Sequence, residues 1–251
     1  MKDTPGQTAV RQVLALAVAL GLWELFARLG FLNALYFPPP SRIWSALVTL
    51  FTEGSIWPHL EATFSAAFLG LILGLAGGIA LGAAAALMPR LAELLEPVMT
   101  SLNAVPRVIL APLFVIWLGI GLGSKVAVAF ILVAVLMFFT VYTGIKEVDR
   151  RLVERVTTLG GGRFILLREV YLPSVTAWIL GNLKVSVGFA FTGACVGEFV
   201  AATRGLGYLL SFAQSTYNAA LMIALILLIM ACVLVLFAVA GALERRLIHW
   251  R

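Results

Sequence analysis

Apolar residues in this chain come in long runs, and short polar segments separate them. Six runs stand out: Val10–Leu29, Leu60–Met88, Pro97–Ile120, Val126–Ile145, Thr176–Ala201 and Ala219–Leu243. Each is about 20 residues or longer, enough to carry a helix across a hydrocarbon layer of ~30 Å. The pattern predicts an all-α, polytopic helical membrane protein with about six transmembrane helices, forming a single domain over residues 1–251. The first run follows a dozen polar residues. It is longer than the apolar core of a typical signal peptide and lacks a small-residue cleavage site, so it reads as a span.

The polar breaks have their own signals. Glu24 and Arg28 lie four apart near the end of the first run, in the favoured order for an ion pair on one helix face. Phe37-Pro38-Pro39-Pro40-Ser41 is rigid and extended. Ser41 is then placed to cap a short amphipathic helix ending near Thr52, expected to lie on the outer membrane surface. In the second run Gly70, Gly74, Gly78 and Gly82 recur every four residues, a stripe that lets another helix approach closely. Pro89-Arg90 ends that run, and residues 91–96 read as a short loop. The third run holds Pro106 and Pro112, which predict a kinked or broken helix. Asn103 and Arg107 fall in the same region. They either line a pathway near the cytoplasmic end or, for Arg107, snorkel to the interface. Residues 119–125 read as a turn, 202–218 as a connection, and the chain from Glu244 to Arg251 as a basic tail. The turn has Ser124 where a phosphate loop needs its second glycine, and no strand precedes it.

Composition agrees with the runs. The 251 residues are 62% hydrophobic and 12% charged, with mean hydropathy +1.04. Soluble domains carry about 25% charged residues. Cys195 and Cys232 sit inside apolar runs and read as small buried hydrophobes. Net charge is +6, and its distribution matters more than its size. With six spans, 12 of the 18 Lys and Arg fall on one side, from Lys2 through Lys146, Arg150 and Arg151 to Arg251. Arg28, Arg42, Lys125 and Arg204 fall on the other, and Arg107 and Lys184 lie within spans. The positive-inside rule puts both termini and the segment 146–175 in the cytoplasm.

Catalytic chemistry is sparse. The two histidines, His59 and His249, are assigned near opposite membrane faces and cannot share a metal or a nucleophile. His59 beside Pro58 reads as a solvated loop-end residue. No GxSxG or HExxH motif occurs. Energy for any transport then comes from a gradient or another subunit.

One segment breaks the apolar character most sharply: Glu154–Pro173, ERVTTLGGGRFILLREVYLP. It is basic, holds three consecutive glycines and ends in Leu-Pro. It is similar to the cytoplasmic signature of bacterial ATP-binding-cassette importer permeases: EAA, three residues, Gly, nine residues, then I-x-L-P. Glu154 matches the acid and Gly160 stands at the required spacing. Val170 replaces the isoleucine, and Leu172-Pro173 closes the motif. Arg155 and Val156 stand where the family usually has two alanines. Much of the chain further resembles the sulfonate, taurine and nitrate branch, through Phe37–Ser41, Val105-Pro106, Trp117–Gly121, Glu198, Gly205–Tyr208 and Leu243–Leu247.

The resemblance implies a type I importer permease in the bacterial inner membrane, without an ATPase site of its own. It implies a homodimer, two cytoplasmic ATPases and an extracytoplasmic binding protein, with membrane lipid around it and no nucleic acid. No cofactor is expected on this chain; ATP and Mg belong to the ATPase. Branch members carry sulfonates, nitrate, bicarbonate or heterocyclic vitamin precursors. Glu154, Arg155, Gly160, Gly161, Arg163, Leu172 and Pro173 become the expected coupling residues. A short helix after Glu154 would be interrupted at Gly160–Gly162, and Pro173 would end the next element before the fifth span. The alternative is an ordinary basic loop held at anionic headgroups.

Lys184 and Glu198 in the fifth span are the remaining ionisable candidates for a pathway or gate. They are 14 residues apart, about 21 Å along a helix, so they do not pair. Glu198, near the outer end, is either hydrated or caps an outer gate. Lys184, nearer the cytoplasm, either draws an anion inward or snorkels. A self-contained channel or gradient-driven carrier is the rival reading, and the lack of a visible internal repeat counts against it.

Overall fold

The computed structural model describes residues 5–247. Lys2, His249 and Arg251, which entered the charge and histidine arguments, lie outside that range. The described residues form helices and connections, with no strand among them. They divide into two compact units. One holds the chain up to Pro58 together with Leu209–Met230; the other holds His59–Tyr208 together with the chain from Ala231.

The first unit starts with α1 (Pro5–Arg28) and α2 (Pro40–Thr52). Pro40 occupies the first turn of α2, where a missing N–H costs nothing. The expected cap is corrected here: Ser41 lies inside the helix, and its side chain does not cap it. Instead the backbone N–H and hydroxyl of Ser41 donate to Glu24 at 3.0 and 2.8 Å, and Arg28 Nε donates to the same carboxylate at 2.6 Å. The acid of α1 thus serves the N-terminus of α2, where negative charge is favoured. The expected connection 202–218 is also corrected, since α10 (Leu206–Ser215) occupies most of it. Tyr217, in the left-handed region at φ 51°, ends that helix. Asn218 Oδ1 accepts from Leu221 N at 3.1 Å and opens α11 (Ala219–Leu247).

In the second unit α3 (Trp57–Leu87) packs on α6 (Leu122–Lys146) through its glycine stripe. Gly70 lies against Ala129. A β-carbon on Gly74 would sit 2.6 Å from that of Val133, and one on Gly82 would sit 2.6 Å from the carbonyl of Phe138. All four glycines are buried. The paired positions advance together along the two helices, so α3 and α6 run parallel. The helix α9 (Leu172–Val200) runs antiparallel to α6, with Gly197 against Lys125, Gly193 against Ala129, and Gly144 against Trp178.

Parallel α3 and α6 require the chain between them to cross back. Only α4 (Pro89–Ala104) and α5 (Ala111–Leu118) are available, joined by a 3₁₀ turn at Arg107–Leu110 and bent by 97°. The pair therefore acts as one broken crossing. The break falls at Val105-Pro106, where the backbone is extended. Pro112 sits in the first turn of α5 and kinks nothing. Residues 91–96 are helical, not a loop. Ala92, Leu95, Met99 and Leu102 form an apolar stripe packed on Ala85, Val135, Phe138 and Tyr142, and that burial favours helix.

Between α6 and α9 the chain forms α7 (Arg150–Thr158), α8 (Arg163–Leu166) and a π turn at Leu167–Tyr171 that runs directly into α9. Pro173 therefore lies in the first turn of α9, and the helix continues past it. That corrects the expectation that it ends an element.

Candidate functional site

The polar segment before α9 forms an exposed platform. Asp149 caps α7 by accepting from Arg151 N at 2.9 Å. The hydroxyls of Thr157 and Thr158 fold back onto Glu154 O, both at 2.8 Å. Glu154 and Arg155 remain exposed. The chain then turns at Gly160, φ 82°, a conformation that L side chains rarely adopt. Gly161 is held under Val156: its N–H donates to Val156 O at 2.8 Å, and a β-carbon there would come within 2.5 Å of a Val156 methyl. The bulkier residue at 156 is thus accommodated by the glycine at 161. The turn leaves two large apolar side chains in the open, Leu159 at 82% and Phe164 at 72% exposure. Leu172 and Pro173 are exposed, Val170 is buried, and the side chain of Arg163 lies outside the described residues. Behind α7 is a cleft of about 420 Å³ lined by Ala86, Leu87, Lys146, Arg150, Glu154 and Tyr171. Tyr142 OH beside it donates to Glu96 at 2.7 Å and accepts from Lys146.

A second polar cluster is buried where α3, α6 and α9 meet the segment after α9. Glu198 is 1% exposed. Its Oε2 accepts from Thr63 Oγ1 at 2.8 Å and from Gly207 N at 3.0 Å. Thr63 Oγ1 in turn accepts from Leu206 N at 2.8 Å, and His59 Nδ1 accepts from Gly205 N at 3.0 Å. Lys125 Nζ donates to Arg204 O at 3.1 Å. Four consecutive residues, Arg204 to Gly207, are thus each held by a backbone group. Gly205, φ 126°, lies flat on the Glu198 carboxyl, where any β-carbon would collide. The His59 ring stacks on Tyr208 with centroids 5.8 Å apart.

Two expectations change here: Glu198 is buried at 1% exposure, not hydrated, and His59 is half-buried and hydrogen-bonded, not a solvated loop end. Lys125, counted with the outer charges, is 7% exposed. Thr63 was not singled out from the sequence, and neither were the partners of Lys125 and Gly205, because those partners lie far away in the chain.

Arg107 packs against α6 and α9. It is half-buried, with Nη1 donating to Leu132 O at 3.2 Å and its guanidinium 5.7 Å from the Phe189 ring centre. Lys184 is exposed, 5.2 Å from the Phe237 ring centre, and Asn103 is exposed at the end of α4. Asn103, Arg107, Lys184 and Glu198 do not converge on one site through any contact among the described residues.

Long apolar helices, one crossing broken by a proline turn, with a charged platform between two others, define an integral membrane protein. Residues 78–249 match the family model described as binding-protein-dependent transport system inner membrane component. The chain belongs to that family, whose members are permease subunits of ATP-binding-cassette importers. It is 35% identical over 241 residues to the riboflavin transport system permease protein RibX of Chloroflexus aurantiacus, covering 94% of this chain and 88% of that protein. It is 30% identical over 240 residues to the taurine transport system permease protein TauC of Escherichia coli, covering 94% and 87%. The fold matches a solved amino acid ABC transporter with TM-score 0.66 at 16% identity, covering 80% of this chain and 97% of that one.

Proposed function

We propose that two copies of this permease form the pathway of an importer for a small sulfonate-like or heterocyclic solute, and that the platform from Arg150 to Pro173 receives its ATPase. The termini and platform face the cytoplasm, following the charge bias. Lipid surrounds the spans, and the chain itself binds no cofactor: ATP and Mg sit on the ATPase. The solute class rests on relatives named for riboflavin and taurine.

The observation that carries the coupling role is the platform's form. Glu154 and Arg155 on α7, then Leu159 and Phe164 around the Gly160 turn, present charge and apolar surface together. Large exposed apolar side chains rimmed by polar ones mark a protein contact. The platform is also continuous with α9 through the π turn. A rigid displacement of the docked ATPase is therefore passed along α9 as a lever.

The test is co-purification with the cognate ATPase and uptake by proteoliposomes. Phe164→Ala and Glu154→Ala are expected to weaken recovery of the ATPase, and Gly160→Val to abolish it, since φ 82° is closed to a β-branched residue. Unchanged recovery and uptake in all three variants would remove the platform from the coupling path.

A further inference from the structure

Arg107 stands at the break between α4 and α5, and two other helices fix its height. Its Nη1 donates to Leu132 O on α6 at 3.2 Å, and its guanidinium lies 5.7 Å from the centre of the Phe189 ring on α9. Leu132 is about 15 Å from the start of α6, and Phe189 about 16 Å from the end of α9. These two helices run antiparallel, so both distances are measured from the same end of the unit. Each helix is about 40 Å long, so the cation sits in the middle of an apolar crossing, away from the headgroups at either face.

The fold does not need a cation there. Leu132 O lies inside α6, where the helix ladder already supplies it with the N–H of Leu136. A guanidinium has five N–H donors, and one of them has a partner among the described residues. No carboxylate pairs with Arg107 among those residues. Leu132 and Phe189 belong to an apolar cluster with Ala111, Val128 and Phe114, which offers no counter-charge.

The break is also open. Val105, Val108 and Ile109 are 49, 42 and 66% exposed, so the chain does not bury its own irregular backbone at this point. Such backbone is tolerated at membrane depth only against protein or along a water-filled cavity. Broken helices near the midplane are where transporters hold their substrates. The other cations inside the long helices are placed differently. Lys125 is buried and donates to Arg204 O, and Lys184 rests over one ring with no hydrogen bond among the described residues, so nothing fixes its direction.

We infer that Arg107 is the mid-membrane contact for an oxyanion on the transported solute: a sulfonate, carboxylate or phosphate group. The planar fork is held through Nη1, which leaves the Nε–Nη2 edge to bond two oxygens of such a group at once. The apolar surroundings strengthen that attraction. The inference deepens the importer reading above and rests on it. It narrows the solute to one that carries an anionic group, with or without a heterocycle.

The test uses the permease–ATPase complex in nanodiscs. Ethanesulfonate, acetate and inorganic phosphate are the probes, ethyl methyl sulfone is the uncharged control, and binding is read by saturation-transfer NMR. The parent complex is expected to bind at least one of the anions saturably and the sulfone not at all. Arg107→Gln keeps a donor for Leu132 O. It is expected to weaken the anion binding about tenfold while melting near the parent temperature. Arg107→Lys, which keeps the charge but not the fork, is expected to fall between the two, and it carries the comparison should the glutamine variant fail to assemble. With Cys195 and Cys232 replaced, Arg107→Cys is expected to react with a water-soluble anionic methanethiosulfonate. Equal anion binding by the parent and the assembled variants overturns the inference. So does binding of none of the three anions, or a thiol at 107 that stays unreactive, which would put the position against lipid or a dry interface. If no ATPase is recovered with the unsubstituted permease, it is the importer reading that fails, and that result is in hand before any anion is added.

Discussion

Glu198 shows what burial demands of one residue. A carboxyl at 1% exposure is costly to bury unless donors offset its lost hydration. Thr63 and Gly207 supply them at one oxygen, while Oε1 has no partner among the described residues. Glutamine keeps an acceptor for both donors, so Glu198→Gln is expected to fold and to unfold thermally near the parent temperature. Glu198→Ala strands the Gly207 N–H, costing about 1–3 kcal/mol, while the Thr63 hydroxyl keeps His59 O as an acceptor at 3.1 Å, and the variant is expected to melt lower. Gly205→Ala pushes a methyl into the carboxyl at a backbone angle alanine avoids, and should be the most damaging of the three. Equal melting of Glu198→Ala and Glu198→Gln in detergent would show that these hydrogen bonds do not hold the segment. The sequence flagged Glu198 as an ionisable group in a span. Its partners at positions 63 and 207 were out of reach, because no local spacing links them.

At the scale of elements, the glycine stripe was legible and its partner was not. A repeat of four puts Gly70, Gly74, Gly78 and Gly82 on one face. Only the packing names α6 as the helix that fills it. Gly74→Leu is expected to separate the two helices, costing several kcal/mol and reducing the yield of folded protein, because the space is occupied by the Val133 side chain. Gly181, inside α9, has nothing within 4 Å of the place where a methyl would sit. Gly181→Ala should therefore be neutral or stabilising by up to about 1 kcal/mol, from helix propensity alone. Thermal unfolding of both variants in detergent separates a packing glycine from a spare one. Prolines illustrate the opposite difficulty. Pro106, Pro112 and Pro173 all read as breakers, yet only Pro106 stands at a break. The other two fall in first turns, where proline is tolerated, and the residues around them decide where a helix starts.

For the whole molecule the decisive feature is direction. Five long apolar helices are clear, and the broken pair α4–α5 adds a sixth crossing. Parallel packing of α3 and α6 needs that crossing, as does the contact of His59 with Gly205 at one end of the unit. The six-crossing topology predicts α7 and α2 on opposite sides of the membrane. With Cys195 and Cys232 replaced, a single cysteine at Arg155 should react with a membrane-impermeant maleimide only from the cytoplasm. One at Glu53 should react only from outside. Labelling of both from the same side would break the six-crossing topology.

Class, the long apolar helices and the position of the polar platform between α6 and α9 were readable in the chain because they depend on local quantities: run length and composition. The solvent is apolar along each span, so hydropathy alone reports where the helices are. Partnership is not local. That Glu24 serves the N-terminus of α2, that Lys125 and His59 hold the segment after α9, and that Arg107 is tied to Leu132 O follow from which helices lie side by side. Between apolar helices in lipid that choice is made by shape, where glycines allow backbones to touch, and shape is a property of two surfaces at once.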